Sequence, residues 1–173
     1  VVGDRGAHWP LGPVGVVPVV HQPRGCYIAN MTLIQGTSGG IVVDTLTSIA
    51  GARAVMELYF QHRGKKPVAA VIFTHTHTDH WGGARGVLDD ETLASGRVPI
   101  IAPNLFMEHA VSENIIAGPA MLRRAQYQFG PFRAKGVRGQ GGVGVGQAVA
   151  AGAGGRVRPA GGGPQSQYAL WPE

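Results

Sequence analysis

Six consecutive apolar residues, Val68 to Phe73, run directly into Thr74-His-Thr-His-Thr-Asp-His-Trp-Gly-Gly83. An unbroken apolar run of this length reads as a strand covered on both faces, the kind found in sheets flanked by helices. Just upstream, Thr47 or Ser48 is placed to cap a helix. In it Ile49, Ala52, Met56, Tyr59 and Phe60 recur at helical spacing, Arg53 and Glu57 lie opposite, and Gly64 supplies the stop. Strand, helix, strand and then a polar cluster is the order of an α/β fold, in which sites lie beyond the carboxyl ends of strands.

His75, His77, Asp79 and His80 place four potential metal donors in six positions. In an extended segment alternate side chains share a side, so His75, His77 and Asp79 are expected to converge, with His80 following at a turn. Gly82 and Gly83 sit where a tight bend into the next helix would need them. Two histidines then serve one metal, and Asp79 with His80 a second. Imidazole nitrogen with carboxylate oxygen suits zinc best, and iron or manganese less well, because neither thiolate nor an all-oxygen shell is offered. The bland alternative, surface histidines or a remnant of a purification tag, is disfavoured by the position between an apolar strand and a glycine pair. A bound zinc lowers the pKa of water from about 15.7 to roughly 7, so a dinuclear site makes water the nucleophile and no catalytic side chain is assigned.

Asp44 closes the strand before the helix and is a candidate to orient the ligand loop, with a plain turn aspartate as the equal alternative. His8, His21, His62 and His109 stand alone and are read as solvated or hydrogen-bonded structural residues. Cys26 is the one cysteine of the chain and reads as a small buried residue. It leaves histidine and carboxylate as the metal-binding vocabulary.

The remaining segments extend the α/β pattern. The opening to Pro23 is rich in Gly and Pro and offers at most an edge strand near Val14 to Val20. Residues 27–34 and 41–44 are expected to pair as a hairpin across Gln35-Gly-Thr-Ser-Gly-Gly40. A short helix over 89–94, a strand over 99–102, a helix from Pro103 toward Gly118 and another from Pro119 to near Gly130 follow. From about residue 136 twelve of the 28 glycines crowd into a stretch with almost no large apolar residue, so disorder is expected there. The domain division is therefore a partial α/β domain over 1–135 and a Gly/Ala/Arg-rich tail over 136–173. No run approaches the roughly 18 apolar residues of a membrane span. The chain starts at Val1 and shows no signal peptide, so it reads as soluble with its compartment unassigned.

The net charge of +5 does not indicate nucleic acid as a partner. Residues 1–113 hold 8 Lys/Arg against 9 Asp/Glu, while 114–173 hold 7 Lys/Arg against Glu173 alone. Those cations are scattered among glycines rather than aligned on a helical face with aromatics between them.

His75-Thr-His-Thr-Asp-His80 resembles the signature of the metallo-β-lactamase superfamily. Ala29-Asn-Met-Thr-Leu-Ile34, Ile41-Val-Val-Asp-Thr-Leu-Thr-Ser48, Ser95 to Pro103, Met107 to Asn114 and Arg123-Arg124 through Tyr127 and Gly130 are similar to its linear alkyl sulfatases. The resemblance covers about residues 22–133. It implies an αββα sandwich, two zinc ions, a homodimer, and hydrolysis of medium-chain alkyl sulfate esters such as dodecyl sulfate. Members of that family are several times longer and complete the metal site with two glutamates and a histidine downstream. After His109 this chain has no histidine, and after Glu113 only Glu173 is acidic. It is accordingly expected to form an incomplete sandwich and to be weakly active or inactive alone. A lactonase or thioesterase of the same superfamily, or a catalytically silent metal-binding remnant, is the alternative.

Overall fold

The computed structural model describes residues 13–24, 27–134 and 139. His8, Cys26 and the expected tail, Gly139 apart, lie outside the described residues. One mixed six-stranded sheet runs in chain order: β1 (Pro13–Val17), β2 (Val20–Pro23), β3 (Thr32–Gln35), β4 (Gly40–Val43), β5 (Val68–Ile72) and β6 (Ile100–Ile101). The first four strands are antiparallel neighbours, and β4, β5 and β6 are parallel. This is the expected α/β class. Among the described residues there is a single sheet, which supplies one β layer of the sandwich.

The amino-terminal region departs from the expectation of one edge strand. Pro18 and Val19 form a turn, and two strands pair across it with a register slip between Gly15 and Val17. Prolines sit at both open ends of this hairpin, Pro13 opposite Pro23, where a missing backbone donor is tolerated. The expected hairpin across 35–40 forms, with Leu33 opposite Val42 and Ile34 opposite Ile41.

Helix α1 (Ile49–Arg63) follows its sequence signals closely. The Ser48 side chain accepts from the Gly51 amide, and Gly64 ends the helix at φ 77°, a conformation that favours glycine. Its buried face is Gly51, Ala52, Val55, Met56 and Tyr59, while Ile49 and Phe60 are half-buried. Against it lie Met31, Val42, Leu46 and Val71, each at most 1% exposed. Full burial of one such side chain contributes about 1.5–3 kcal/mol. His21 belongs to this apolar region. It is 1% exposed, its ring lies 5.7 Å from that of Tyr59, and neither ring nitrogen has a hydrogen-bond partner among the described residues. Its role is thus packing, not the hydrogen-bonded one expected. His62 and His109 are exposed, as a solvated role requires.

Strand β5 is less enclosed than its composition suggests. Ala70 and Val71 are buried, but Ala69 is exposed and Val68 and Ile72 are only half covered. Beyond it come α2 (Thr78–Trp81), α3 (Ala84–Val87) and α4 (Asp90–Ser95), the last capped by Asp89 through the Thr92 amide. The helix expected from Pro103 starts later, at Phe106, after Leu105 takes a left-handed conformation. This α5 (Phe106–Val111) passes into a π-helical turn over Ser112–Ile116, and α6 (Gly118–Phe129) follows, with Pro119 in its first turn and Gly130 at its end. No residue of α6 is buried, and Leu122, Tyr127 and the nearby Phe132 stand largely exposed.

Candidate metal centre

Two segments meet at the carboxyl ends of the parallel strands. After β4 the chain passes through Asp44, Thr45 and Leu46, and both Asp44 (φ 59°) and Leu46 (φ 63°) are left-handed. A non-glycine residue in that region stores of order 1–3 kcal/mol of strain. Burial and backbone bonds hold the turn. The Thr45 amide donates to the His80 carbonyl at 2.7 Å and the Gly83 amide to the Leu46 carbonyl at 2.8 Å. After β5 comes the histidine segment, whose start is tied to the first by the Asp44 amide on the Ile72 carbonyl at 2.8 Å.

Asp44 holds both ends of the donor segment. Its Oδ1 accepts the Thr74 amide at 2.8 Å, its Oδ2 accepts the Thr74 hydroxyl at 2.8 Å, and the same Oδ2 accepts His80 Nδ1 at 2.7 Å. A carboxylate only accepts, so His80 Nδ1 carries a proton and donates to Asp44, which leaves Nε2 as the ring atom that can serve a metal once its own proton is lost. The Thr74 hydroxyl spends its hydrogen on Asp44 and therefore accepts from His75 Nδ1, 3.0 Å away, which leaves His75 Nε2 bare. One buried carboxylate, 6% exposed, thus fixes the Nδ1 proton of two histidines, of His80 directly and of His75 through Thr74.

The exposed donor atoms face each other in pairs. His75 Nε2 lies 3.1 Å from His77 Nδ1, and His80 Nε2 lies 3.4 Å from Asp79 Oδ2. A tetrahedral ion bonded at about 2.0–2.1 Å keeps neighbouring donors about 3.3 Å apart, so each pair has the span of one edge of such a site. The His75 and His80 rings are 4.0 Å apart, which sets the pairs side by side. Among the described residues no three His, Cys, Asp or Glu side chains converge as one group, so each pair stands as two donors.

Electrostatics favours the ligand forms unevenly. Burial, then the charges of His80 and His77, hold His75 below the ordinary histidine range and so in its neutral form. Burial also opposes charge on His80, but hydrogen bonds to Asp44 and Asp79 and both carboxylate charges outweigh it and raise the imidazole to about 9. Burial lifts Asp79, yet the hydrogen bond and charge of His80 prevail and keep it below the usual carboxylate range. A metal arriving at the second pair therefore competes with a proton on His80.

The geometry corrects two readings. Asp79 does not continue an extended segment. It lies with His80 on the single turn α2, and the helical turn rather than strand alternation brings it to His80. Gly82 and Gly83 both have negative φ, −60° and −89°, so neither needs glycine for its backbone conformation. Glycine is needed there for close approach, because a Cβ on Gly83 would overlap the Thr45 carbonyl and sit 2.8 Å from Ala52 Cβ. Sequence reasoning missed Glu113 and Asn114. The Thr76 hydroxyl donates to the Glu113 carboxylate, and Asn114 bonds both Thr76 and Thr78. Both lie in the Met107–Asn114 segment singled out for its family likeness, but nothing local tied either side chain to the histidines.

The sequence profile of the metallo-beta-lactamase superfamily matches residues 24–160. An (R)-specific secondary-alkylsulfatase from Pseudomonas sp. is 54% identical over 72% of this chain and 19% of its own length. A linear primary-alkylsulfatase from Pseudomonas sp. is 47% identical over 77% of this chain and 20% of its own. The solved structure of the stereoselective inverting sec-alkylsulfatase Pisa1 from Pseudomonas sp. superposes with a TM-score of 0.74 at 50% identity, covering 80% of this chain and 22% of that one. The chain spans about a fifth of the length of these relatives. With a profile match over most of its length and the fold to go with it, this chain belongs to the metallo-β-lactamase superfamily.

Proposed function

We propose that this chain carries the metal-binding segment of an alkyl sulfate hydrolase, with His75 and His77 on one zinc and Asp79 and His80 on a second. The observation that supports the reading is the pairing of His75 Nε2 with His77 Nδ1 and of His80 Nε2 with Asp79 Oδ2 at 3.1 and 3.4 Å, in a chain about half identical to alkylsulfatases. The overall reaction is R–O–SO3⁻ + H2O → R–OH + HSO4⁻. Bound zinc supplies water activation at neutral pH and offsets the charge of the sulfate oxygens. The chain's own residues do the positioning. Asp44 holds the Nδ1 proton of His80 and so directs its Nε2 at the site, Thr74 does the same for His75, and the turn 44–46 locks both to the sheet. The relatives divide between secondary and linear primary alkyl sulfates, so the substrate class is set at alkyl sulfate, with dodecyl sulfate as the working representative. Homodimerisation belongs to the same reading, and light scattering of the purified protein measures it.

A chimera tests the function. Residues 24–134 replace the corresponding segment of the Pseudomonas linear primary-alkylsulfatase, and sulfate release from dodecyl sulfate is followed beside hydrolysis of a lactone. Retained sulfatase turnover, abolished by His75→Ala, is expected. A folded, zinc-loaded chimera that cleaves the lactone and not the sulfate ester would overturn the substrate assignment.

A further inference from the structure

The donor segment has a second face. His75, His77 and Asp79 alternate with Thr76 and Thr78, and the threonines are held by the turn that follows α5. Asn114 donates from Nδ2 to the Thr76 carbonyl at 2.9 Å and to the Ala110 carbonyl at 2.8 Å, and its Oδ1 accepts the Thr78 hydroxyl at 2.6 Å. Both amide hydrogens and the amide oxygen are therefore engaged, and one side chain grips the residues immediately before and after His77. Trp81 Nε1 adds a second donor to the Thr76 carbonyl at 2.8 Å, and the Thr76 hydroxyl bonds Glu113. The Ser112–Ile116 turn is π-helical, closed by the Ala117 amide on the Ser112 carbonyl at 2.9 Å. Such single π turns insert one residue into a helix and re-aim the side chains around it.

We propose that Asn114 is a positioning residue for the metal centre: it holds the Thr76 carbonyl before His77 and the Thr78 hydroxyl after it, and so fixes the distance between the two donor pairs. The inference rests on the reading that those pairs bind zinc. Asp44 secures the ends of the segment at Thr74 and His80, whereas Asn114 secures its middle, which has no hydrogen bond to the sheet among the described residues. No other side chain reproduces the pattern. Aspartate lacks the two donors and would turn a carboxylate on two carbonyl oxygens, and alanine removes all three bonds. Outer partners of metal ligands typically govern affinity by about 10- to 100-fold.

The test uses the 173-residue chain as wild type, His77→Ala, Asn114→Ala, Asn114→Asp, Thr78→Val and the Asn114→Ala/Thr78→Val double variant. Zinc affinity is read by competition with a chromophoric chelator, and the visible absorption of the cobalt(II)-substituted protein reports ligand geometry. Asn114→Ala should weaken zinc binding by about 10- to 100-fold. Asn114→Asp should weaken it at least as much, and Thr78→Val less. The double variant should lose no more than Asn114→Ala alone, since the two residues act through one bond. The cobalt spectrum should shift in each. Thr78→Val deletes a single hydroxyl and keeps the test open if an Asn114 variant fails to fold. Zinc affinity within twofold of wild type and an unchanged cobalt spectrum in the folded variants, with His77→Ala still losing the metal, would overturn the role of Asn114 alone. A wild type that takes up no more zinc than His77→Ala would overturn the metal reading and this inference with it.

Discussion

Replacing Asp44 by Asn separates the charge of this residue from its shape. Asparagine tolerates the left-handed backbone that Asp44 adopts at φ 59°, so the turn survives. The hydrogen bonds do not. If the amide oxygen keeps the Thr74 amide, the NH2 group faces His80 Nδ1 across 2.7 Å, where two donors meet unless the imidazole moves its proton to Nε2. That tautomer has no lone pair left for a metal. If the amide flips, the NH2 group meets the Thr74 amide instead. Either one partly enclosed donor goes unmet or the imidazole is held in the tautomer that cannot bind, at a cost of about 1–3 kcal/mol. At 1.4 kcal/mol per factor of ten, zinc affinity should fall about 10- to 100-fold, the range usual for partners of ligating histidines. Asp44→Ala should show a similar metal loss with a further stability penalty of about 1–2 kcal/mol for alanine in the left-handed region. Chelator competition measures the first effect and urea denaturation of the metal-free protein the second. Wild-type zinc affinity in a folded Asp44→Asn variant would refute the reasoning that this carboxylate sets the tautomers.

Three further outcomes follow from the same geometry. In the metal-free chain the raised pKa of His80 contributes stability that is fully present below the ordinary value of 6.5 and is lost as pH climbs through about 9. Thermal midpoints of chelator-treated protein should therefore fall between these limits, and His80→Gln should flatten the slope. Gly83→Ala should destabilise the chain by about 1–3 kcal/mol in urea melts, because the new methyl meets backbone and Ala52 rather than open space. The zinc-loaded 173-residue chain should release sulfate from dodecyl sulfate no faster than a zinc-only blank, since two donors per ion fall short of the three that catalytic zinc sites usually have. Turnover well above the blank that disappears in His75→Ala would contradict this.

The elements whose signals are local were legible in the sequence. Ser48 and Gly64 bound α1, Asp89 caps α4, and the hairpin across 35–40 pairs as its turn residues suggest. What failed depends on contacts far apart in the chain or, at α5, on a local backbone conformation without a sequence signal. The Trp81-Gly82-Gly83 signal was seen but misattributed, because the neighbour that excludes a Cβ, Thr45, is distant in sequence. The late start of α5 follows from Leu105 adopting a left-handed conformation, which a Pro at 103 does not announce. The four candidate donors were singled out from type and spacing, and Asp44 was offered as an orienting residue or a plain turn aspartate; its bonds to Thr74 and His80 favour the first. The relay through Thr74 to His75 and the grip of Asn114 were not legible, because each joins residues roughly thirty to forty positions apart.

Zinc content after dialysis of wild type, His75→Ala and His77→Ala tests the metal centre most directly, with circular dichroism to confirm that all three are folded. Each substitution deletes one of the two donors of the first pair, so both variants should retain much less zinc than wild type. Zinc content unchanged in both would mean that the metal lies elsewhere and that the histidine cluster is not its site.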